Sequence, residues 1–321
     1  MKSTPNNHYQ VRIDGHLGAQ WADWFDGLAI TLEDDGTTLL SGRVSDQAAL
    51  HGLLKKIRDL GISLISVNQN QTQKELLHMN VFIAGSTGAT GKKLASELLE
   101  RGHRVVTVAR SKNSLPEELR NHPNITVTEA SLLDLSNAEL RVLVEGCDAI
   151  VSTLGHNISF KGMYGHPRRL VADAARRLCE AAHANQPQSP VKFVLMNTTG
   201  NRNRDLDEKQ AFAEKVVIGL LRVLLPPQAD NEAAANYLRT QIGQNDDVIE
   251  WVAVRPDGLI DEDTVTEYTI HPSPIRSPIT DPGQTSRINV GHFMAELIDN
   301  DALWQEWKGR MPVVYNKVQA K

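Results

Sequence analysis

Asn80-Val-Phe-Ile-Ala-Gly-Ser-Thr-Gly-Ala-Thr-Gly91 decides how the larger part of this chain folds. Val81 to Ala84 is a short apolar run, as a buried parallel strand requires. It halts at Gly85, and glycines recur at Gly88 and Gly91 before Lys92-Lys-Leu-Ala-Ser-Glu-Leu-Leu-Glu-Arg101. In that last segment Leu94, Leu98 and Leu99 share one face at helical spacing, and Gly102 suits a helix C′ position. Alone, a glycine triplet marks a tight turn and nothing more. Between a strand and a helix it becomes a phosphate-binding expectation, because glycine lets the backbone approach closely and the helix's first N–H groups face an anion. Gly85, Ser86, Thr87, Gly88, Ala89, Thr90 and Gly91 are the expected cradle.

Downstream, apolar strands alternate with helical patterns. The strands are Arg104-Val-Val-Thr-Val-Ala-Arg110, Asn124 to Glu129, Asp148 to Gly155, Val191 to Met196 and Ile249 to Arg255. Helical stretches are expected over Leu170 to Ala182, Glu208 to Leu225 and Glu232 to Ile242, with Pro226-Pro227 as an interruption. The alternation predicts an α/β fold: a doubly wound parallel sheet with right-handed crossovers, a Rossmann domain over residues 79–321.

Upstream, residues 1–70 form their own pattern. Tyr9 to Asp14 alternates like a strand, and Leu17 to Phe25 suggests a short helix with Trp21, Trp24 and Phe25 on one face. Leu28, Ile30 and Leu32 alternate again. Asp34-Asp35-Gly36 turns the chain into Thr38 to Val44. Asp46 can cap a helix striped by Leu50, Leu53, Leu54, Ile57 and Leu60, which Gly61 ends before a strand from Ile62 to Val67. The order β-α-β-β-α-β is the small ferredoxin-like α+β arrangement. Its Trp24-Phe-Asp-Gly-Leu28 and Asp46-Gln-Ala-Ala-Leu-His-Gly-Leu-Leu54 segments resemble a small bacterial domain without defined activity. Polar residues 71–78, continuing Asn68-Gln-Asn-Gln, suggest a linker.

The 321 residues suffice for a large core, and the net charge of −5 gives no case for nucleic acid or an anionic membrane. No apolar run approaches the roughly 20 residues of a membrane span. The N-terminus lacks a signal peptide's apolar segment, so the expected location is cytoplasmic. With Cys147 and Cys179 as the two cysteines and no paired histidine spacing, no metal site is expected.

At the end of a dinucleotide fold's second strand an acidic residue holds the ribose 2′-hydroxyl of NAD, whereas arginine accommodates the 2′-phosphate of NADP. Here that position carries Ala109-Arg110-Ser111-Lys112. Arg110 and Ser111 point to NADP(H) as cofactor, the alternative being a solvated basic strand end.

Together, Gly85–Gly91, Ala109-Arg-Ser111, Leu132-Leu-Asp134, Gly146-Cys-Asp-Ala-Ile-Val-Ser-Thr-Leu-Gly155 and Val254-Arg-Pro-Asp-Gly-Leu259 resemble the atypical short-chain dehydrogenase/reductases, in their NAD(P)H-binding, NmrA-like branch. The resemblance spans about residues 79 to 316. It implies that Leu132 and Leu133 border the adenine. Ser152, Thr153, Leu154 and Gly155 would line the cofactor's middle, and Asn197, Thr198 and Thr199 would approach the nicotinamide. One departure is Ala130-Ser131, where relatives often carry Gly-Asp, so any adenine contact there falls to the Ser131 hydroxyl.

The wider family works through Tyr-x-x-x-Lys. Four residues on from Tyr9, Tyr164, Tyr237, Tyr268 and Tyr315 stand Ile13, Arg168, Gln241, Pro272 and Gln319, so the pair is missing. Thr199 is left as a polarising donor. His156, just after the fourth Rossmann strand, either donates a proton or bonds a loop carbonyl. Tyr164 and His166, in a glycine-punctuated loop, suggest pocket lining or loop packing, and Asp230 a helix cap. Asp261 to Gln284 is expected to fold over the crevice. The expected function is an NADPH-dependent reductase acting on a small quinone-, flavin- or carbonyl-type acceptor. The alternative is a non-catalytic NADP(H)-sensing regulator acting through a protein partner, for which the N-terminal unit offers a surface.

Overall fold

The computed structural model describes residues 8–18, 21, 24–25, 27–33, 35–70, 78–156, 164–206, 208, 225–277 and 280–317. The expected linker at 71–78, the helix between Glu208 and Leu225 and Asn157 lie largely or wholly outside these residues. The chain divides into two compact units, Met1–Leu77 and His78–Lys321.

The first unit holds β1 (His8–Asp14), β2 (Ala29–Leu32), β3 (Thr37–Arg43), α1 (Gln47–Asp59) and β4 (Leu64–Asn70). Its sheet runs β2-β3-β1-β4 with antiparallel neighbours, the ferredoxin-like order. Asp46 caps α1 by accepting from the Ala49 N–H, and Leu50, Leu53 and Ile57 are buried beneath it. Of the expected first helix, only Leu17, Gly18, Trp21, Trp24 and Phe25 are among the described residues. There the N–H groups of Trp24 and Phe25 both donate to the Trp21 carbonyl, at 3.0 and 3.2 Å, and the rings of Trp21 and Trp24 meet edge to face with centroids 6.4 Å apart. Phe25 is therefore buried while Trp24 is 53% exposed, rather than sharing one inward face.

The second unit is the doubly wound domain. Its elements are β5 (Asn80–Ala84), α2 (Ala89–Glu100), β6 (Arg104–Ala109), α3 (Glu117–Arg120), β7 (Ile125–Glu129), α4 (Asn137–Val144) and β8 (Ala149–Ser152). Then come α5 (Leu170–Asn185), β9 (Val191–Met196), α6 (Pro226–Tyr237), β10 (Ile249–Pro256), β11 (Gly258–Ile260) and β12 (Tyr268–His271). The last are β13 (Gln284–Ser286), α7 (Arg287–Asp299), α8 (Asp301–Trp307) and β14 (Val313–Asn316). Strands β7-β6-β5-β8-β9-β10 lie side by side and parallel, so strand order reverses between β5 and β8. That reversal opens a crevice at the strands' C-terminal ends. β14 extends the sheet in parallel and β12 closes it antiparallel.

Both faces are covered, which is why Val81, Phe82, Ile83 and Ala84 are all fully buried despite pointing to alternate sides. One core layer unites Phe82, Ile150 and Phe193 with α4, α5 and α6; the other unites Val81, Ile83 and Val151 with α2, α7 and α8. Trp304, Trp307 and Met311 belong to these cores.

Two helix starts differ from expectation. α2 begins at Ala89, inside the glycine motif, and ends where Gly102 (φ +84°) lets the N–H groups of Gly102 and His103 cap the carbonyls of Leu99 and Leu98. α6 begins at Pro226 rather than after the proline pair, because proline's fixed φ and missing N–H cost nothing in a helix's first turn. None of the described residues of Asp261–Gln284 lines the crevice; within that segment, β12 builds out the sheet edge against β14.

Candidate functional site

The crevice holds a cavity of about 500 Å³. Gly85, Thr87, Gly88 and Lys92 form its floor, Arg110, Ser114, Ser131, Leu132 and Leu133 one side, and Thr153, Leu154, Gly155, His156, His166 and Leu170 the other.

The floor depends on two glycines. Gly85 sits at φ +95°, and a Cβ there would come within 2.9 Å of the Thr153 hydroxyl oxygen. A Cβ on Gly91 would stand 2.1 Å from the Gly85 carbonyl oxygen, so only glycine lets α2 pack against the end of β5. The Thr153 hydroxyl ties this corner to β8, within 3.2 Å of the Ala84 carbonyl and 3.1 Å of the Gly85 carbonyl. Gly88 is the N-cap of α2 and supplies no side-chain acceptor to the first-turn N–H groups. Those donors, the positive end of the helix dipole and the nearby Lys92 make the floor an anion site. Arg110 is exposed at the end of β6, and among the described residues no carboxylate pairs with Lys92 or Arg110. These features fit a dinucleotide carrying a diphosphate and a further phosphate.

Several expected residues stand elsewhere. The Ser86 hydroxyl is buried and lies 2.7 Å from that of Thr107, and Thr90 is buried under the turn, so both brace the cradle from behind. Ala89 is exposed beside the cavity without lining it. Ser111 precedes a short turn, Lys112–Ser114, that brings Ser114 to the wall in its place. Ser152 is fully buried below the crevice. Asn197, Thr198 and Thr199 are not cavity-lining. The Asn197 amide donates to the Asn231 carbonyl at 2.9 Å, and the Thr199 hydroxyl to Asp257 at 3.1 Å, so these groups are spent closing the ends of β9 and β10. Of the two expected catalytic candidates, His156 lines the cavity and Thr199 does not.

At this wall the fold places, beside His166, the imidazole of His156. Its Nε2 lies 2.8 Å from Asp230 Oδ2, with both side chains almost wholly buried. Asp230 does act as a cap, though for α5 rather than its own helix: it accepts from the N–H groups of Val171 and Ala172 at 2.8 and 3.0 Å. No tyrosine lines the cavity: Tyr164 is exposed nearby, and burial pushes Tyr237 and Tyr268 up to about 12. Among the described residues no trio of His, Cys, Asp or Glu could hold a metal ion, and no helix is long and apolar enough to cross a membrane.

Sequence reading missed Lys92, Ser114 and Arg177. Lys92 directly follows Gly91 and was within reach of a motif argument. Arg177 was not: from α5 its guanidinium donates to the carbonyls of Leu133 and Leu135 and to Asn137, holding the loop that carries Leu132 and Leu133.

Residues 85–301 match the family described as NAD(P)H-binding. The chain belongs to that family. The resemblance to atypical short-chain dehydrogenase/reductases stands with it, as does the oxidoreductase-like Rossmann fold. Residues 8–68 match a domain of unknown function (DUF8691). The chloroplastic divinyl chlorophyllide a 8-vinyl-reductase of Arabidopsis thaliana is 32% identical over 104 residues, covering 30% of this chain and 25% of that protein. With a second plant relative covered over 34% of its length, the chain spans a quarter to a third of the curated relatives it matches. Two solved structures share the fold. A short-chain dehydrogenase/reductase from Veillonella parvula in complex with NADP has 16% identity and a TM-score of 0.56, over 75% of this chain and 95% of that one. A Streptococcus pneumoniae protein described as a candidate NADH-flavin reductase has 16% identity and a TM-score of 0.50, over 74% and 100%.

Proposed function

We propose that this NAD(P)H-binding chain is an NADPH-dependent reductase that delivers hydride to a small quinone-, flavin- or carbonyl-type acceptor without a Tyr-x-x-x-Lys pair. The observation that carries the cofactor choice is the wall at the end of β6. Arg110 faces the cavity without a carboxylate partner among the described residues, where an NAD site would place an acid. Once the cofactor is bound in the crevice, its nicotinamide would supply the hydride. The chain's own residues do the rest. The first turn of α2 and Lys92 hold the diphosphate, Arg110 and Ser114 the 2′-phosphate, and Leu132 and Leu133 flank the adenine.

His156 is the candidate proton donor, since no tyrosine stands at the wall. Electron-poor acceptors such as quinones and flavins need little acid assistance, which suits so sparse a set of acid–base groups. Likeness to a candidate flavin reductase supports the same acceptor class.

Fluorescence titration of the purified protein with NADPH and NADH tests the cofactor. NADPH is expected to bind at least ~10-fold more tightly, with Arg110→Ala erasing the difference. Equal affinities in the parent protein would overturn the assignment. Loss of NADPH absorbance is then followed with a quinone, a flavin and an aldehyde. Oxidation no faster than without protein would replace the reductase reading by that of a cofactor-sensing regulator.

A further inference from the structure

Between β7 and α4, the segment from Ala130 to Ser136 supplies Ser131, Leu132 and Leu133 to one wall of the cavity. Its two ends are pinned by near neighbours. The Ala130 N–H donates to the Ala109 carbonyl at the end of β6, at 2.9 Å, and Ser136 and Glu139 close a reciprocal cap on α4. The middle is held from farther away. Among the described residues, the carbonyls of Leu132, Leu133 and Leu135 accept from one side chain alone, the guanidinium of Arg177 on α5. Nη1 lies 2.7 Å from the Leu133 carbonyl and 3.4 Å from that of Leu132. Nη2 takes the Leu135 carbonyl and, at 3.1 Å, Asn137 Oδ1.

Arg177 pairs with no carboxylate among the described residues, so its charge is spent on neutral oxygens. A planar fork that grips three carbonyls fixes the course of a backbone, which a single flexible ammonium does not. The helix that presents this fork also bears on the opposite wall. Leu170, the first residue of α5, lines the cavity beside His156 and His166, and Asp230 anchors the N–H groups of Val171 and Ala172. Arg177 follows two turns later, about 10 Å along the axis. One helix thus touches the far wall directly and steadies the near wall through Arg177.

We propose that Arg177 is a positioning residue for the adenine half of the cofactor, holding Leu132 and Leu133 where they flank the base. This rests on the reading of those two leucines as the adenine wall. Arg177 does not itself line the cavity. Without its guanidinium three carbonyls lose their donor, the loop turns to satisfy them with water, and the leucines leave the wall. The first turn of α2 and Lys92 belong to other elements and keep their hold on the diphosphate. The loss therefore falls on the adenosine end of the ligand.

Binding measurements separate the two halves. In Arg177→Met, which keeps an apolar stem but no donor, the Kd values of NADPH and adenosine 2′,5′-bisphosphate are expected to rise together, at least ~10-fold. Reduced nicotinamide mononucleotide, which has no adenosine, should bind within about twofold of the parent. In NADPH oxidation with 1,4-benzoquinone, the KM for NADPH should rise with the Kd while kcat at saturation stays within about twofold. Arg177→Lys keeps the charge but loses the fork, and should bind NADPH more weakly than the parent. It decides the matter if the methionine variant does not fold. Parent-like affinity for adenosine 2′,5′-bisphosphate in either folded variant would sink the proposal. So would an equal loss for reduced nicotinamide mononucleotide, which marks general damage. A parent protein that binds NADPH but not adenosine 2′,5′-bisphosphate would instead remove the adenine-wall reading beneath, a different failure from a misassigned arginine.

Discussion

Two helix N-termini meet the cavity, and they are finished in opposite ways. α2 starts at Gly88, which has no side chain to offer, so its first N–H groups are left for something outside the protein. α5 starts beside Leu170, and the carboxylate of Asp230 already fills its first turn. An uncompensated helix start attracts an anion, while one that carries a buried carboxylate repels it. The diphosphate therefore has one berth. The other start has been turned to a different use, fixing an imidazole at the far wall.

The contrast is broken most severely by moving the bare terminus. Gly91→Ala puts a Cβ 2.1 Å from the Gly85 carbonyl oxygen, a backbone atom held by β5, so α2 must shift away from the strand end. The expected result is loss of NADPH binding by ~100-fold or more, with stability lowered by about 1–3 kcal/mol through overpacking. Titration and chemical denaturation measure the two effects. Unchanged affinity would mean that the glycine turn does not seat the cofactor.

A subtler change makes the two termini alike. Gly88 has extended backbone angles (φ −75°, ψ 164°), which an aspartate N-cap adopts readily. In Gly88→Asp the new carboxylate is expected to take the first-turn N–H groups, as Asp230 does for α5. A Cβ at Gly88 would stand 3.3 Å from the Gly85 carbonyl oxygen, a close approach that offsets the capping gain. Stability should therefore stay within about 0.5 kcal/mol of the parent while NADPH affinity falls about 10- to 100-fold. Retained stability with lost affinity separates this from ordinary damage, in which both would fall. Retained affinity would show that α2 is not the diphosphate site.

The bare terminus was legible in the sequence and the filled one was not. Gly85, Gly88, Gly91 and the strand before them are contiguous, and each constraint acts between near neighbours, so pattern and physics coincide. The doubly wound parallel sheet follows from the same alternation, which does not by itself set the order of its strands. His156 was visible as a polar residue after a buried strand, but its partner lies 74 positions away on another helix, and no local periodicity encodes that pairing. Asp230 carries a capping signal, but sequence cannot say whose helix it caps. Asn197 and Thr199 show the same limit. Position after a strand puts them near the crevice, but their side chains are drawn to Asn231 and Asp257, elements whose approach depends on tertiary packing.

The opposite end of α2 supplies the smallest effect, and a control for the others. There Arg101 reaches Glu97 and Asp299 at 2.8 Å each, and His103 Nε2 lies 2.7 Å from the other Asp299 oxygen. Burial alone would raise the Asp299 carboxyl, but the contacts with His103 and Arg101 outweigh it and hold it down at about 2. A carboxyl depressed in the folded state favours folding above its unfolded value of roughly 3.9, and that contribution fades as pH falls towards the folded value. Asp299→Asn is therefore expected to cost stability at neutral pH, on the order of 1 kcal/mol, and to lose less than the parent between about pH 4 and pH 2. Melting temperatures across that range give the comparison, and parallel declines would show that Asp299 is not what the acid removes. NADPH affinity at pH 7 should not change, because a network at the C-terminal end of α2 holds the helix without touching the N–H groups that face the cavity. A loss of affinity there would mean that α2 responds as a rigid rod, and that the local account of its N-terminus is incomplete.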